Sequence, residues 1–264
     1  MTILDTIKAA AIQRVAGCKE YKSIYDVRSE AEGMAADGLG KDFAAALKEP
    51  GLNIIAELKK ASPSKGVIAP DFEGVYLDKA RQYEEGGAAA ISCLTEPQFF
   101  QGSDAYLQQV RRAVALPILR KDFTVDEYQI YEAKTIGADA VLLICSILNG
   151  GQLAEYLELA KELDLSALVE VHDTDELRQA LAAGAEIIGV NNRNLKDFTV
   201  NTANSLNLRS KVPADKIFVA ESGITCAEDA QPLHKAGVNA ALVGEALMRV
   251  AAPGQLIKEL RGEM

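Results

Sequence analysis

The sequence predicts an α/β chain that closes into a (β/α)8 TIM barrel with an N-terminal helical extension. Three observations predict it. The chain has 264 residues, close to the size of one barrel domain of about 250 residues. A phrase made of a helix-like stretch, Gly and a short apolar run occurs four times. Four further apolar runs bring the candidate strands to eight, with starts about 27 residues apart, enough for a strand, a helix and two loops.

The elements follow in order. Ile3, Leu4, Ile7, Ile12 and Val15 fall at helical spacing, so residues 1–50 are expected to form extra helices packed on the barrel, within one domain of residues 1–264. The first strand is NIIAELK (53–59). The repeated phrase reads EEGGAAAIS (84–92), KTIGADAVLLI (134–144), LAAGAEIIGV (181–190) and HKAGVNAALVG (234–244). Its Gly tolerates the left-handed conformation that ends a helix, and the run after it, nearly all apolar and uncharged in its middle, suits a strand buried on both faces. LPILRKDF (116–123), LSALVEVH (165–172) and KIFVAES (216–222) supply the other strands. Strand starts are therefore expected near 53, 88, 117, 138, 166, 186, 217 and 239. Amphipathic helices are expected over 151–163 and 173–183, the latter opening on Asp173 with Glu176 three residues on, as in a capping box. An open doubly wound sheet is the alternative. It usually has fewer strands, and no GxGxxG follows the first strand here.

Composition narrows the function. A formal net charge of −10 argues against nucleic acid or anionic membrane as partner. No run of about 18 apolar residues exists, and the N-terminus, broken by Asp5, Lys8 and Arg14, lacks the apolar core of a signal peptide. Cys18, Cys93, Cys145 and Cys226 form no CxxC pair, so free thiols in a cytoplasmic protein are expected. His172 and His234 are too few for a His-rich metal site. They read as a loop and a surface position, and Cys93 and Cys145 as small core residues.

Barrel chemistry sits at the C-terminal ends of strands, and here polar residues interrupt apolar strands at that end. The first strand ends in Glu57 and Lys59, the third in Lys121, the fifth in Glu170, the sixth in Asn191 and the seventh in Glu221–Ser222–Gly223. Glu57 and Lys59 share parity and so share a side. A strand-terminal charge often marks no more than the chain's emergence into water. Five strands doing so together point instead to a proton-transfer site for an anionic substrate. The small residues Ser222, Gly223 and Gly244 lie where the loops after strands seven and eight of many barrels hold phosphate through backbone N–H groups. Arg193 could add a bidentate contact.

More specific motifs are AELKKASPSKG (56–66), LTEPQFFQGS (94–103), ILRKDF (118–123), QIYEAKTIGADAVLL (129–143), LVEVHD (168–173), GVNNRNL (189–195), AESGI (220–224) and LVGEALM (242–248). Together they resemble the indole-3-glycerol phosphate synthase family over essentially the whole chain. KKASPSKG followed by RKDF carries most of that specificity. The resemblance implies closure of an indole ring from 1-(o-carboxyphenylamino)-1-deoxyribulose 5-phosphate, with loss of carbon dioxide and water, in tryptophan biosynthesis. It implies no metal or organic cofactor, and no fused isomerase domain. It implies catalytic positions at Glu57, Lys59, Lys121, Glu170, Asn191 and Ser222, and ligand contacts at Ser62, Phe123, Arg193, Leu195, Gly223, Gly244 and Glu245. In that reading Lys121 is the general acid and Glu170 the general base. Lys59 holds the substrate carboxylate and can share the acid role. Glu57 and Asn191 orient lysines and sugar hydroxyls, and Phe123 and Leu195 wall the aryl ring.

Two other readings compete. A sugar-phosphate isomerase on the same barrel usually needs an acid–base pair such as Cys with Asp, and the first strand offers Glu57 and Lys59 instead. A phosphate-binding scaffold without catalysis is opposed by Lys59, Lys121 and Glu170 standing together.

Overall fold

The computed structural model describes residues 2–38, 40–194 and 198–263. Among them eight parallel strands close a barrel: β1 (Asn53–Leu58), β2 (Ala90–Leu94), β3 (Ile118–Lys121), β4 (Ala140–Ile144), β5 (Ser166–Val171), β6 (Ile187–Asn191), β7 (Ile217–Glu221) and β8 (Ala240–Val243). Each expected strand start falls within a few residues of one of these. Register runs unbroken round the ring, from Glu57 opposite Ser92 to Asn191 opposite Glu221 and Ala56 opposite Val243. Closure leaves the barrel sheet without an edge and excludes the open doubly wound alternative.

The local grammar explains the regularity. Gly87, Gly137, Gly184 and Gly237, one in each repeated phrase, all take positive φ, between 65° and 89°. A Cβ is strained there, so these positions end their helices and turn the chain into β2, β4, β6 and β8. Helix α7 (Gly150–Glu162) has the reciprocal capping box of Asn149 and Gln152. Helix α8 (Thr174–Ala182) departs from expectation in one bond. Asp173 accepts from the N–H groups of Asp175 and Glu176, but the Glu176 carboxylate passes the cap and accepts from the His172 N–H.

The residues before β1 form α1 (Ile3–Tyr21), α2 (Ile24–Ala36) and α3 (Phe43–Ala46). They run from one rim of the barrel to the other. Arg14 in α1 pairs with Asp122 just beyond β3 at 2.7 Å, and Lys8 donates to the Ile147 carbonyl beyond β4 at 2.7 Å. Helix α2 packs along α6 (Glu127–Thr135). At the opposite rim the Lys41 N–H donates to Asp139, which precedes β4, and the Asn53 side chain donates to the Leu47 and Glu49 carbonyls. Phe43 and Leu47 are fully buried there. Ile7, Ala11 and Val15 form the buried stripe of α1, whereas Ile12 points to solvent at 52% exposure. Phe43→Ala is expected to cost about 3–5 kcal/mol of unfolding free energy, because it empties a sealed aromatic site. A lower urea midpoint at unchanged slope would register this, and a midpoint equal to the parent's would refute it.

Cys93 and Cys145 lie in the core as expected, and burial pushes the Cys145 thiol up to about 12. His172 is in the loop after β5, with Nδ1 3.0 Å from the Asn191 carbonyl. His234, expected at the surface, is half-buried and sits 2.9 Å from the Leu260 carbonyl, joining α10 (Ala227–Lys235) to α12 (Pro253–Arg261).

Candidate active site

A cavity of about 540 Å³ opens at the C-terminal ends of the strands. Strand parity decides what reaches it. Glu57, Lys121, Glu170, Asn191 and Glu221 occupy lumen-facing positions at or near the last residue of β1, β3, β5, β6 and β7. Every site residue expected from the sequence lines this cavity, except Leu195, which lies outside the described residues. Ser62 sits on a short hairpin after β1, where Ala61–Ser62 pairs antiparallel with Gly66–Val67. Arg193 lies in the loop after β6, and Glu245 opens α11 (Glu245–Arg249) after β8.

The floor is an alternation of charge. Lys121 Nζ lies 3.1 Å from Glu170 and 3.3 Å from Glu221. Asn191 fixes the far side of Glu170. Its Oδ1 accepts from the Arg193 N–H at 2.9 Å, a group that can only donate, so its Nδ2 faces Glu170 Oε1 at 3.1 Å. Asn191 therefore orients a carboxylate, not a lysine. Just beyond β1, Lys59 donates to Glu57.

Burial alone would push the Lys121 ammonium down, but Glu221, Glu170 and Glu57 outweigh it and hold it above its ordinary value. Burial raises Glu221 from 4.5 to about 7, with Lys121 pulling the other way. A carboxyl raised by folding supports the fold fully below its ordinary value, and that support fades as pH climbs through about 7. Glu221→Gln removes this titration. Its melting temperature relative to the parent is expected to rise between about pH 5 and about pH 8, and a pH-independent difference would refute it.

Two glycines make room for these carboxylates. A Cβ on Gly244 would come within 2.2 Å of Glu57 Oε2, and one on Gly189 within 2.2 Å of Glu221 Oε1. The sequence suggests that Gly244 lets backbone approach an oxyanion; the side that a Cβ would take holds the Glu57 carboxylate.

The walls are apolar. Phe123 packs at a tilt against Phe100, ring centroids 6.0 Å apart, with Leu94 beside them. Ile3, Leu4 and Ile7 of α1 also line the cavity. Sequence reasoning did not place Phe100 or these three residues at the site, and it named Glu221 at the end of its strand without giving it a role. Glu221 carried a signal, since it ends an apolar strand as Lys121 and Glu170 do. Phe100 stands within LTEPQFFQGS but in a loop, where no periodicity assigns it a side.

The model of the indole-3-glycerol phosphate synthase family matches residues 4–260. The chain belongs to the indole-3-glycerol phosphate synthase family. An indole-3-glycerol phosphate synthase of Ruminiclostridium cellulolyticum is 50% identical over 98% of this chain and 99% of its own. One of Endomicrobium trichonymphae is 51% identical over 98% and 99%. With the family comes the enzyme class read from the sequence, a carboxy-lyase of tryptophan biosynthesis. Among solved structures, 3-hexulose-6-phosphate synthase from Salmonella typhimurium superposes with a TM-score of 0.64 at 14% identity, over 80% of this chain and 97% of that one. Thiamine phosphate pyrophosphorylase from Pyrococcus furiosus gives 0.58 at 20% identity, over 80% and 94%. At those identities the likeness is one of fold.

Proposed function

We propose that this cavity converts 1-(o-carboxyphenylamino)-1-deoxyribulose 5-phosphate to indole-3-glycerol phosphate, carbon dioxide and water, with Lys121 as general acid and Glu170 as general base. The observation that carries the assignment is Lys121 held between Glu170 and Glu221 on the floor of an apolar-walled mouth. Ring closure bonds the carboxyl-bearing aryl carbon to the ketone carbon, whose oxygen becomes an alkoxide and takes a proton. Lys121 is charged at neutral pH, and an alkoxide is basic enough to take its proton even against the pull of neighbouring carboxylates. Departure of carbon dioxide restores the aromatic ring. Dehydration then removes the hydroxyl as water and a proton from the adjoining methylene. Glu170, with both oxygens already engaged by Lys121 and Asn191, is aimed for that second transfer.

Lys59, oriented by Glu57, holds the substrate carboxylate and can share the acid role. Phe123 faces the aryl ring together with Phe100. Phosphate is held by backbone at Ser222, Gly223, Gly244 and Glu245, with Arg193 and Ser62 at its rim. The four cysteines are free thiols, and among the described residues no helix is long and apolar enough to cross a membrane. The free thiols support a cytoplasmic enzyme, and its partner is read as a small phosphorylated molecule, with neither nucleic acid nor membrane involved.

The test is direct because the chain has no Trp. Indole fluorescence should appear on mixing with the carboxyphenylamino substrate, against a background of tyrosine alone. Silence with tight binding would mean a scaffold, and turnover of phosphoribosylanthranilate an isomerase. Inorganic phosphate should inhibit competitively at constant ionic strength, because backbone donors at the β7 and β8 loops bind the anion without the aryl ring. Uncompetitive inhibition, or none at high phosphate, would remove that site.

A further inference from the structure

We infer that Asn192 is a positioning residue that shapes the anion-binding turn at Ser222–Gly223 without touching the substrate. The inference rests on the proposed phosphate role of that turn. Asn192 is buried and does not line the cavity, whereas its neighbours Asn191 and Arg193, and both Ser222 and Gly223, do. Ser222 and Gly223 take φ of +69° and +80° in succession. A left-handed serine is disfavoured by its Cβ, so something outside the turn must hold it.

Asn192 supplies two bonds to it. The backbone N–H of Asn192 donates to the Glu221 carbonyl at 2.9 Å, and its side-chain Nδ2 donates to the Ser222 carbonyl at 3.0 Å. The amide orientation is fixed by its other end. Oδ1 accepts from the Ser205 N–H at 3.0 Å and the Ser205 hydroxyl at 2.8 Å, and a backbone N–H can only donate. The Asn192 carbonyl in turn accepts from the Asn201 N–H at 2.9 Å, which folds the loop after β6 back on itself. Ser205 is fully buried in α9 (Ala203–Arg209), so the clamp has a rigid base.

The consequence follows from peptide geometry. No cis bond occurs among the described residues. In a trans peptide the N–H points opposite to the C=O. With the Glu221 and Ser222 carbonyls both drawn to Asn192, the Ser222 and Gly223 N–H groups both point away from it. Those are the donors an oxyanion needs at this turn. Asn192 thereby links the β6 end, which carries Asn191 and Arg193, to the β7 end.

Sulfate is the probe, since its charge is constant across the pH range of interest. In the intact enzyme it should compete with substrate. In Asn192→Ala the inhibition constant and KM should both rise about tenfold, with kcat at saturation changed much less. Asn192→Asp keeps the acceptor for Ser205 but sets a carboxylate oxygen against the Ser222 carbonyl. Near neutral pH it should bind sulfate no better than the alanine variant. As pH falls and the carboxyl gains a proton to donate, it alone should recover affinity relative to the parent. Ser205→Ala, which loses one bond to the Asn192 amide, should weaken sulfate in the same direction by less, and serves if Asn192→Ala does not fold. A merely structural role would lower the melting temperature and leave the inhibition constant and its pH profile unmoved, which overturns the inference. Absence of sulfate competition in the parent enzyme would overturn the phosphate reading itself, and the inference with it.

Discussion

Lys121→Ala is expected to lower kcat by about 10²–10⁴-fold while changing substrate affinity by no more than a few-fold. Loss of a general acid removes stabilisation that exists in the transition state, when the alkoxide forms. The phosphate and carboxylate contacts proposed to set binding lie on other strands, at the β7 and β8 ends and at Lys59. The variant also leaves Glu170 and Glu221 buried without the cation that lay 3.1 and 3.3 Å away. Stripping a buried pair of one partner costs about 3–5 kcal/mol when the survivor stays charged. Glu221, already held up to about 7, should respond by taking a proton, so the variant should be least stable in alkaline buffer. Turnover should therefore be measured where a melting curve shows the variant folded. Near-normal kcat there would remove Lys121 from the mechanism.

The barrel was legible because its evidence is local. A glycine that ends a helix and an apolar run that starts a strand stand side by side in the chain, and all four such glycines adopt the left-handed conformation that the pattern requires. The strand-end charges were legible for the same reason, since alternation within one strand gives Glu57 and Lys59 a common face. What the sequence concealed depends on contacts between distant segments. Nothing in Ile3, Leu4 or Ile7 says which rim of the barrel α1 covers, because the ties that decide it reach Asp122 and Ile147, over a hundred residues away. Glu221 ends its strand visibly, but its place between Lys121 and Gly189 exists once β3, β6 and β7 share one lumen. The hairpin bearing Ser62 has two residues in each strand, too few for any period. Asn192 differs again. It looks like a second copy of Asn191, and parity turns it away from the cavity and onto the backbone of β7.

Glu170→Gln is expected to separate the two halves of the reaction in time. The substitution keeps the size of the side chain and the acceptor oxygen but removes its basicity. In the proposed mechanism ring closure needs a proton delivered by Lys121, whereas dehydration needs one removed. The geometry sharpens this contrast. Glu170 shares Lys121 with Glu221, so the ammonium in the variant still has a carboxylate 3.3 Å away and remains charged. Asn191 Nδ2 is kept facing position 170 by the Arg193 N–H on its other end, so a glutamine there can still present its oxygen to it. The first half should proceed at close to the parent rate, and substrate should bind with similar affinity. The second half should slow by about 10²–10⁴-fold, the range for loss of a general base. Single-turnover measurements should show carbon dioxide released first and indole fluorescence following after a lag. If both signals slow by one factor with no lag, Glu170 acts at or before ring closure. The base would then have to be sought elsewhere on the floor, and Glu221, which titrates near neutral pH beside the same lysine, would be the first residue to test.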